Sequence, residues 1–232
     1  MKQKIIALVP AAGTGTRFGD AVPKQYLDIG GRPLIFHALQ ALSKVSRIVD
    51  VLVVLAADDS HWHRFDPHWA LLAGKVSTAL VGGGCRGETV ANGLRVIGMR
   101  AGASLEDWVL VHDAARPCIR SEFIDQFIDE LENDPVGGLL ALPLSDTIKL
   151  AGDDQRVERT VPRAGLWRAQ TPQMFRLGAL TGALQRCPGA TDEAQAIEAL
   201  GQLPKLVMGA SANLKVTYAE DLALARMLLQ ER

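Results

Sequence analysis

The apolar run Ile5–Val9 opens directly into a glycine-rich stretch, Ala11–Gly19, and this junction constrains the fold more than any other part of the chain. Consecutive apolar residues without alternation suit a strand covered on both faces, as in a parallel sheet, so Lys4–Val9 reads as a buried strand. Similar runs recur at Val49–Leu55, Val76–Val81, Trp108–His112 and Leu139–Leu142. Between them, Pro33–Lys44, Glu88–Arg100 and Glu122–Glu132 read as helices, with Pro33 suited to a first turn and Ser121 placed to cap the third. The alternation predicts an α/β fold, Rossmann-like and three-layered, around a mostly parallel sheet. It breaks between Leu144 and Pro162, where Thr147–Leu150 and Arg156–Val161 flank the turn formers Gly152-Asp153-Asp154. That pattern predicts a β-hairpin arm leaving the main body. Beyond it lie a helix near Gly178–Arg186, another after Thr191, a strand at Leu206–Met208 and a last helix over Ala219–Leu229. Thr191-Asp192-Glu193 reads as a helix start, with Thr191 as cap and acids in the first turn. Without repeats or linkers, the expectation is one domain over 1–232, with the arm at about 144–162.

Composition excludes several classes. Lys plus Arg number 25 against 26 Asp plus Glu, a net charge of −1, so there is no basic excess for nucleic acid. Cys85, Cys118 and Cys187 are odd in number, far apart and without a C-x-x-C spacing. They argue against a disulfide framework or zinc site and fit a reducing cytoplasm. The N-terminus faintly mimics a signal peptide, but Ile5–Val9 is shorter than an h-region. No apolar segment approaches the ~20 residues that span a bilayer.

The glycine-rich loop follows a parallel strand, where α/β proteins bind ligands, and its glycines let phosphates approach backbone N–H groups. It lacks the Gly-Lys-Ser/Thr ending of a Walker A loop. A dinucleotide fingerprint would need its third glycine where Phe18 stands, and an acid about 20 positions on, where the chain reads Pro33-Leu34-Ile35-Phe36. Two cations, Arg17 and Lys24, lie close by and can clamp a triphosphate, although solvated surface charge is the usual fate of such residues.

Pro10-Ala11-Ala12-Gly13, Arg17 and Pro23-Lys24-Gln25-Tyr26 together resemble the nucleotide-binding signature of sugar-phosphate nucleotidyltransferases. Further segments narrow the resemblance: Val111–Pro117, Asp146–Lys149, Arg163–Trp167, Thr171-Pro172-Gln173, Asn213–Thr217 and Glu220–Leu222. In this order, and spread over nearly the whole chain, they resemble the 2-C-methyl-D-erythritol 4-phosphate cytidylyltransferase family of the non-mevalonate isoprenoid pathway. The resemblance implies that CTP and methylerythritol phosphate give CDP-methylerythritol and pyrophosphate, with Mg²⁺ carried mainly by the triphosphate. It implies CTP contacts from Pro10, Ala11, Ala12, Gly13, Thr14 and Gly15, with Ala114 beside them. Gly82, Gly83 and Thr89 would complete the base pocket. Arg17, Lys24 and Lys215 would stabilise the pentavalent transition state. Asp113 and Arg116 would hold the acceptor, with Asp113 also the best carboxylate for a metal. Thr147 and Arg163 would reach it from the arm of a second subunit, making a homodimer necessary, and Thr171 and Thr191 would lie near the same substrate. Some relatives carry an acid where Gly84 sits; Gly84 offers only backbone groups.

The chemistry agrees. A phosphate monoester has a second pKa near 6 and is mostly dianionic at pH 7, so it needs charge neutralisation and alignment rather than a protein base. A ribitol 5-phosphate cytidylyltransferase has a similar frame, and a non-catalytic nucleotide-binding regulator is the rival from another class. His61, His63 and His68 lack an accompanying carboxylate motif and read as exposed helix or loop rather than a metal site, and His112 reads as a structural strand-end residue. Cys85 and Cys118 read as small packing residues.

Overall fold

The computed structural model describes residues 3–13, 22–72 and 74–231. Thr14, Gly15 and Arg17 lie outside the described residues. The chain orders as β1 (Ile5–Ala11), β2 (Asp28–Ile29), β3 (Arg32–Pro33), α1 (Leu34–Lys44), β4 (Ile48–Leu55), α2 (Asp66–Trp69), β5 (Val76–Ala79), α3 (Arg86–Gly98) and β6 (Trp108–Val111). It continues through α4 (Ser121–Leu131), β7 (Gly137–Pro143), β8 (Ile148–Ala151), β9 (Val157–Val161), β10 (Trp167–Arg176), α5 (Leu177–Arg186), α6 (Glu193–Glu198), β11 (Lys205–Met208) and α7 (Ala219–Gln230).

Seven strands form one sheet in the order β11-β7-β10-β6-β1-β4-β5. β1 pairs in parallel with β4 and β6, β4 with β5, and β7 with β11. β10 runs antiparallel to both its neighbours. The side-chain period of two sends alternate residues of β1 to opposite faces. Ile5, Ala7, Val9 and Ala11 join one core with α1 and α4, through Phe36, Leu39, Phe127 and Ile128. Ile6 and Leu8 join the other core with α3, α5 and α6, through Leu94, Leu180 and Ile197. Two helical layers thus cover the sheet, which is why its central strands read as continuous apolar runs. The arm is present as the antiparallel pair β8–β9, and a second small hairpin pairs β2 with β3.

Three local expectations are corrected. Ser121 is the first residue of α4 and its hydroxyl donates to Glu122 at 3.0 Å, because the extended Arg120 already occupies the cap position. At α6 the cap is Asp192, whose carboxylate accepts from the Gln195 N–H at 2.9 Å, while Thr191 stands one residue outside. Pro33, with extended backbone angles, precedes α1 rather than entering its first turn. The sequence pattern also passed over β10, which lies in the middle of the sheet.

Candidate active site

The carboxyl ends of β1 and β6 and the loop between β5 and α3 open onto one cleft of about 540 Å³. Ligands collect at this end of a parallel sheet because loops diverge there and backbone N–H groups point outward. Pro10, Ala11, Ala12 and Gly13 line one wall, and Gly83, Gly84, Cys85 and Thr89 another. Asp113 and Ala114 follow β6, while Lys24 and Lys215 arrive from distant segments. Of the expected residues described, Gly82, Arg116, Thr147, Arg163, Thr171 and Thr191 do not line the cleft.

Each wall is built by local bonding. Gln25 is buried and donates from Nε2 to the Ala11 carbonyl at 2.9 Å, tying the short helical turn Lys24–Tyr26 to the end of β1. That turn presents Lys24, whose Nζ donates to the Val216 carbonyl at 3.0 Å. Tyr26 donates to Asp59 at 2.7 Å and stacks between His61 and Phe65. The histidine-rich segment around it forms short helical turns, with Trp62 buried and stacked on Trp69. In the second wall, the Thr89 hydroxyl accepts from the Gly83 N–H at 3.1 Å and donates to the Cys85 carbonyl at 2.9 Å. Gly82 donates to the Leu55 carbonyl at 2.8 Å. It is glycine for a steric reason: a Cβ there would stand 2.3 Å from Ala12 Cβ and 2.8 Å from the Leu55 oxygen. Gly84 is different, since its Cβ would meet only Glu88 Oε2 at 3.5 Å.

The strongest electrostatic feature is Asp113, which is buried and flanked by cations. Arg86 Nε donates to its Oδ1 at 2.8 Å, and Lys215 Nζ stands 2.8 Å from its Oδ2. Burial disfavours the charged form, but Arg86 and Lys215 overcome that and hold the carboxyl well below the usual carboxylate range. Arg86 also forks onto Glu193, at 2.6 and 3.0 Å. Burial disfavours its charge too, yet the two carboxylates more than offset this and tighten its hold on its proton. Arg86 and Glu193 escaped the sequence reading. Arg86 lies in the segment between Gly83 and Thr89 and Glu193 in a helix start, and neither position tells that the two side chains meet across 107 residues.

Thr171 and His112 brace Asp113 from below. The Thr171 hydroxyl accepts from the Asp113 N–H at 3.0 Å and lies 3.2 Å from His112 Nδ1. His112 Nε2 reaches the Arg116 carbonyl at 3.2 Å. Donation from Thr171 into Nδ1 and from Nε2 to the carbonyl satisfies a neutral ring, and burial lowers its pKa to about 4. Arg116 is buried, donates to the Asn213 carbonyl at 2.7 Å and has its Nε 3.9 Å from Asp113. Thr191 is exposed, and its N–H donates to the Gln195 side chain at 2.6 Å. Thr147 and Arg163 are exposed at the base of the arm, with Arg163 donating to the Ser145 carbonyl.

Asp113 does not suit direct metal ligation, because both of its oxygens already face cations. Among the described residues no cluster of three His, Cys, Asp or Glu side chains is arranged to hold a metal. No helix of the described residues is long and apolar enough to cross a membrane.

A charge-lined cleft at the end of a parallel sheet admits many anionic ligands, and comparison with known proteins decides among them. The family model for IspD, 2-C-methyl-D-erythritol 4-phosphate cytidylyltransferase, matches residues 5–231. The chain belongs to this family. A 2-C-methyl-D-erythritol 4-phosphate cytidylyltransferase of Dechloromonas aromatica is 58% identical over 226 residues, 97% of each chain. One of Nitrosospira multiformis is 51% identical over 230 residues, 98% of each chain. The fold agrees with a crystal structure of 4-diphosphocytidyl-2C-methyl-D-erythritol synthase at a TM-score of 0.87 and 37% identity, covering 99% of this chain and 100% of that one. The Francisella tularensis cytidylyltransferase gives a TM-score of 0.80 at 29% identity, covering 97% and 100%. As a member of the IspD family, the chain is a nucleotidyltransferase.

Proposed function

We infer that this protein transfers a cytidylyl group from CTP to 2-C-methyl-D-erythritol 4-phosphate, releasing pyrophosphate. The observation that carries this reading is the convergence of Lys24, Lys215 and Arg86 on a cleft walled by two small-residue loops. Every reacting group is a phosphate, so the site must neutralise charge and hold an in-line geometry. An acceptor phosphate oxygen attacks the α-phosphorus of CTP, one P–O bond forms, and the bond to pyrophosphate breaks with its electron pair leaving on that oxygen. The acceptor is already largely dianionic near neutrality, so no protein base is required. The neutral, hydrogen-bonded His112 is consistent with a supporting role.

We assign Lys24 and Lys215, with Arg17, to stabilising charge at the α-phosphorus. To the CTP side we assign Pro10–Gly15, Gly82, Gly83, Thr89 and Ala114. Asp113 and Arg116 belong to the acceptor side, Arg116 adding charge from a buried position. Thr171 supports that side through the Asp113 N–H, and Thr191 flanks it. Thr147 and Arg163 complete the cleft of a second copy. Their exposure on an arm with outward-facing Leu150, Val157 and Leu166 supports a homodimer with shared sites. Mg²⁺ bound to the triphosphate would supply Lewis-acid charge neutralisation, since among the described residues no cluster of three His, Cys, Asp or Glu side chains is arranged to hold it. Three cysteines far apart in the sequence, without a C-x-x-C spacing, support a cytoplasmic setting.

The direct test is pyrophosphate release with Mg²⁺, CTP and methylerythritol 4-phosphate, with ribitol 5-phosphate in parallel. Release with methylerythritol phosphate is expected. Release only with ribitol phosphate would overturn the acceptor, and release with neither would favour a nucleotide-binding role.

A further inference from the structure

Glu193 lies outside the cleft lining, yet it is 1% exposed and carries a carboxylate. Burying such a group is costly unless it is paired. Its two oxygens take the fork of Arg86 at 2.6 and 3.0 Å, leaving the Arg86 Nε–H directed at Asp113 Oδ1 at 2.8 Å. Asp113 Oδ2 in turn faces Lys215 Nζ at 2.8 Å. Charges therefore alternate from a buried helix start to an ammonium that is 41% exposed at the cleft.

The start of α6 is itself fixed to the sheet. Gln173 of β10 accepts from the Ala194 N–H at 2.8 Å and donates to Asp192 at 3.0 Å. Glu193 thus stands on a rigid element, and a guanidinium held along one edge by two bonds has little freedom to turn. Without the Glu193 charge, Arg86 is free to fork onto Asp113 instead. That would engage both carboxylate oxygens and compete with Lys215 for Oδ2.

We propose that Glu193 is a positioning residue of this reaction: through Arg86 it fixes the Asp113 carboxylate and, by that route, the Lys215 ammonium in the cleft. The inference rests on the assignment of Lys215 to phosphate chemistry above. Stability alone does not call for this arrangement, since buried ion pairs exchanged for packed apolar residues are often neutral or stabilising.

The test compares Glu193→Gln, Arg86→Lys and the double variant Arg86→Met/Glu193→Leu with wild type in the pyrophosphate-release assay. Glu193→Gln is expected to lower kcat by about 10- to 100-fold, the scale of a misplaced reacting geometry, with the KM for CTP changed less than about twofold. Arg86→Lys keeps the charge but not the fork and is expected to show the same loss. The double variant removes both charges, so its Tm should return toward wild type while kcat stays low. Recovery of kcat along with Tm in the double variant would overturn the proposal, as would wild-type kcat in Glu193→Gln. A crystal structure of Glu193→Gln gives a readout independent of turnover. Lys215 Nζ beyond hydrogen-bond distance of Asp113 is expected, and an unchanged contact would contradict the positioning role. Wild-type protein inactive with either acceptor would fail the reaction assignment and leave that contact to decide the positioning claim.

Discussion

The cleft and the arm are built on opposite principles. Around the cleft, Ala11, Thr89 and Asp113 are buried, and Gln25, Arg86, Asp113 and Lys215 bond to groups far away in the chain. On the arm, β8 and β9 bond mainly to each other, and Val157 is 62% exposed. A preorganised cleft costs no rearrangement when charge develops in the transition state. The arm instead leaves Leu150 and Val157 facing solvent. The difference is what the proposed shared site, with the arm serving a neighbouring copy, would require.

The largest expected effect strikes the cleft. Lys24→Ala or Lys215→Ala should each lower kcat by about 10²-fold or more, since each removes a cation aimed at developing charge. Wild-type turnover in either variant would break the assignment. Gly82 and Gly84, two positions of the loop that builds the nucleotide wall, sharpen the picture of a tight cleft. Gly82→Ala forces a Cβ to within 2.3 Å of Ala12 Cβ and should raise the KM for CTP about tenfold, roughly 1.4 kcal/mol. Gly84→Ala meets only ordinary contact at 3.5 Å and should change it less than about twofold. Equal effects at both positions would contradict the close approach of the two walls.

A further effect is on stability. The folded pKa of His112, about 4, lies below its unfolded value, so the unfolded chain binds more protons between the two. The stabilisation is complete above about pH 6.5 and is lost as pH falls toward the folded pKa, on the order of 3 kcal/mol in all. His112→Gln should flatten this slope in denaturant titrations between pH 4 and 6.5, and an unchanged slope would place the titrating group elsewhere. The smallest effect should fall on the arm: Val157→Ser, at an exposed position, should leave the monomer's Tm nearly unchanged while weakening self-association.

The strands with uninterrupted apolar runs were legible because both faces of β1, β4 and β6 are covered. The arm was legible from its turn residues. β10 was not, because Arg168, Gln170, Pro172 and Gln173 break any apolar pattern. Its pairing with β7 shifts register between Ala169 and Gln173, and this irregular stretch carries the Thr171 that supports Asp113. The cleft residues next to glycine-rich loops or carried by motifs could be named in advance. Arg86 and Glu193 could not be paired in advance, since their contact is set by how α6 docks on the sheet. A charged residue in a helix's first turn reads as solvated, and only the fold shows that Glu193 is buried.

The claim that one cleft needs two chains is tested most directly by mixing Lys24→Ala protein with Arg163→Ala protein under conditions of subunit exchange. Each variant alone should be nearly inactive. Random pairing of equal amounts would restore about a quarter of the sites, from heterodimers that unite an intact cleft with an intact arm. Activity near a quarter of wild type is the predicted result. Demonstrated exchange with no gain over the separate variants would contradict the shared site.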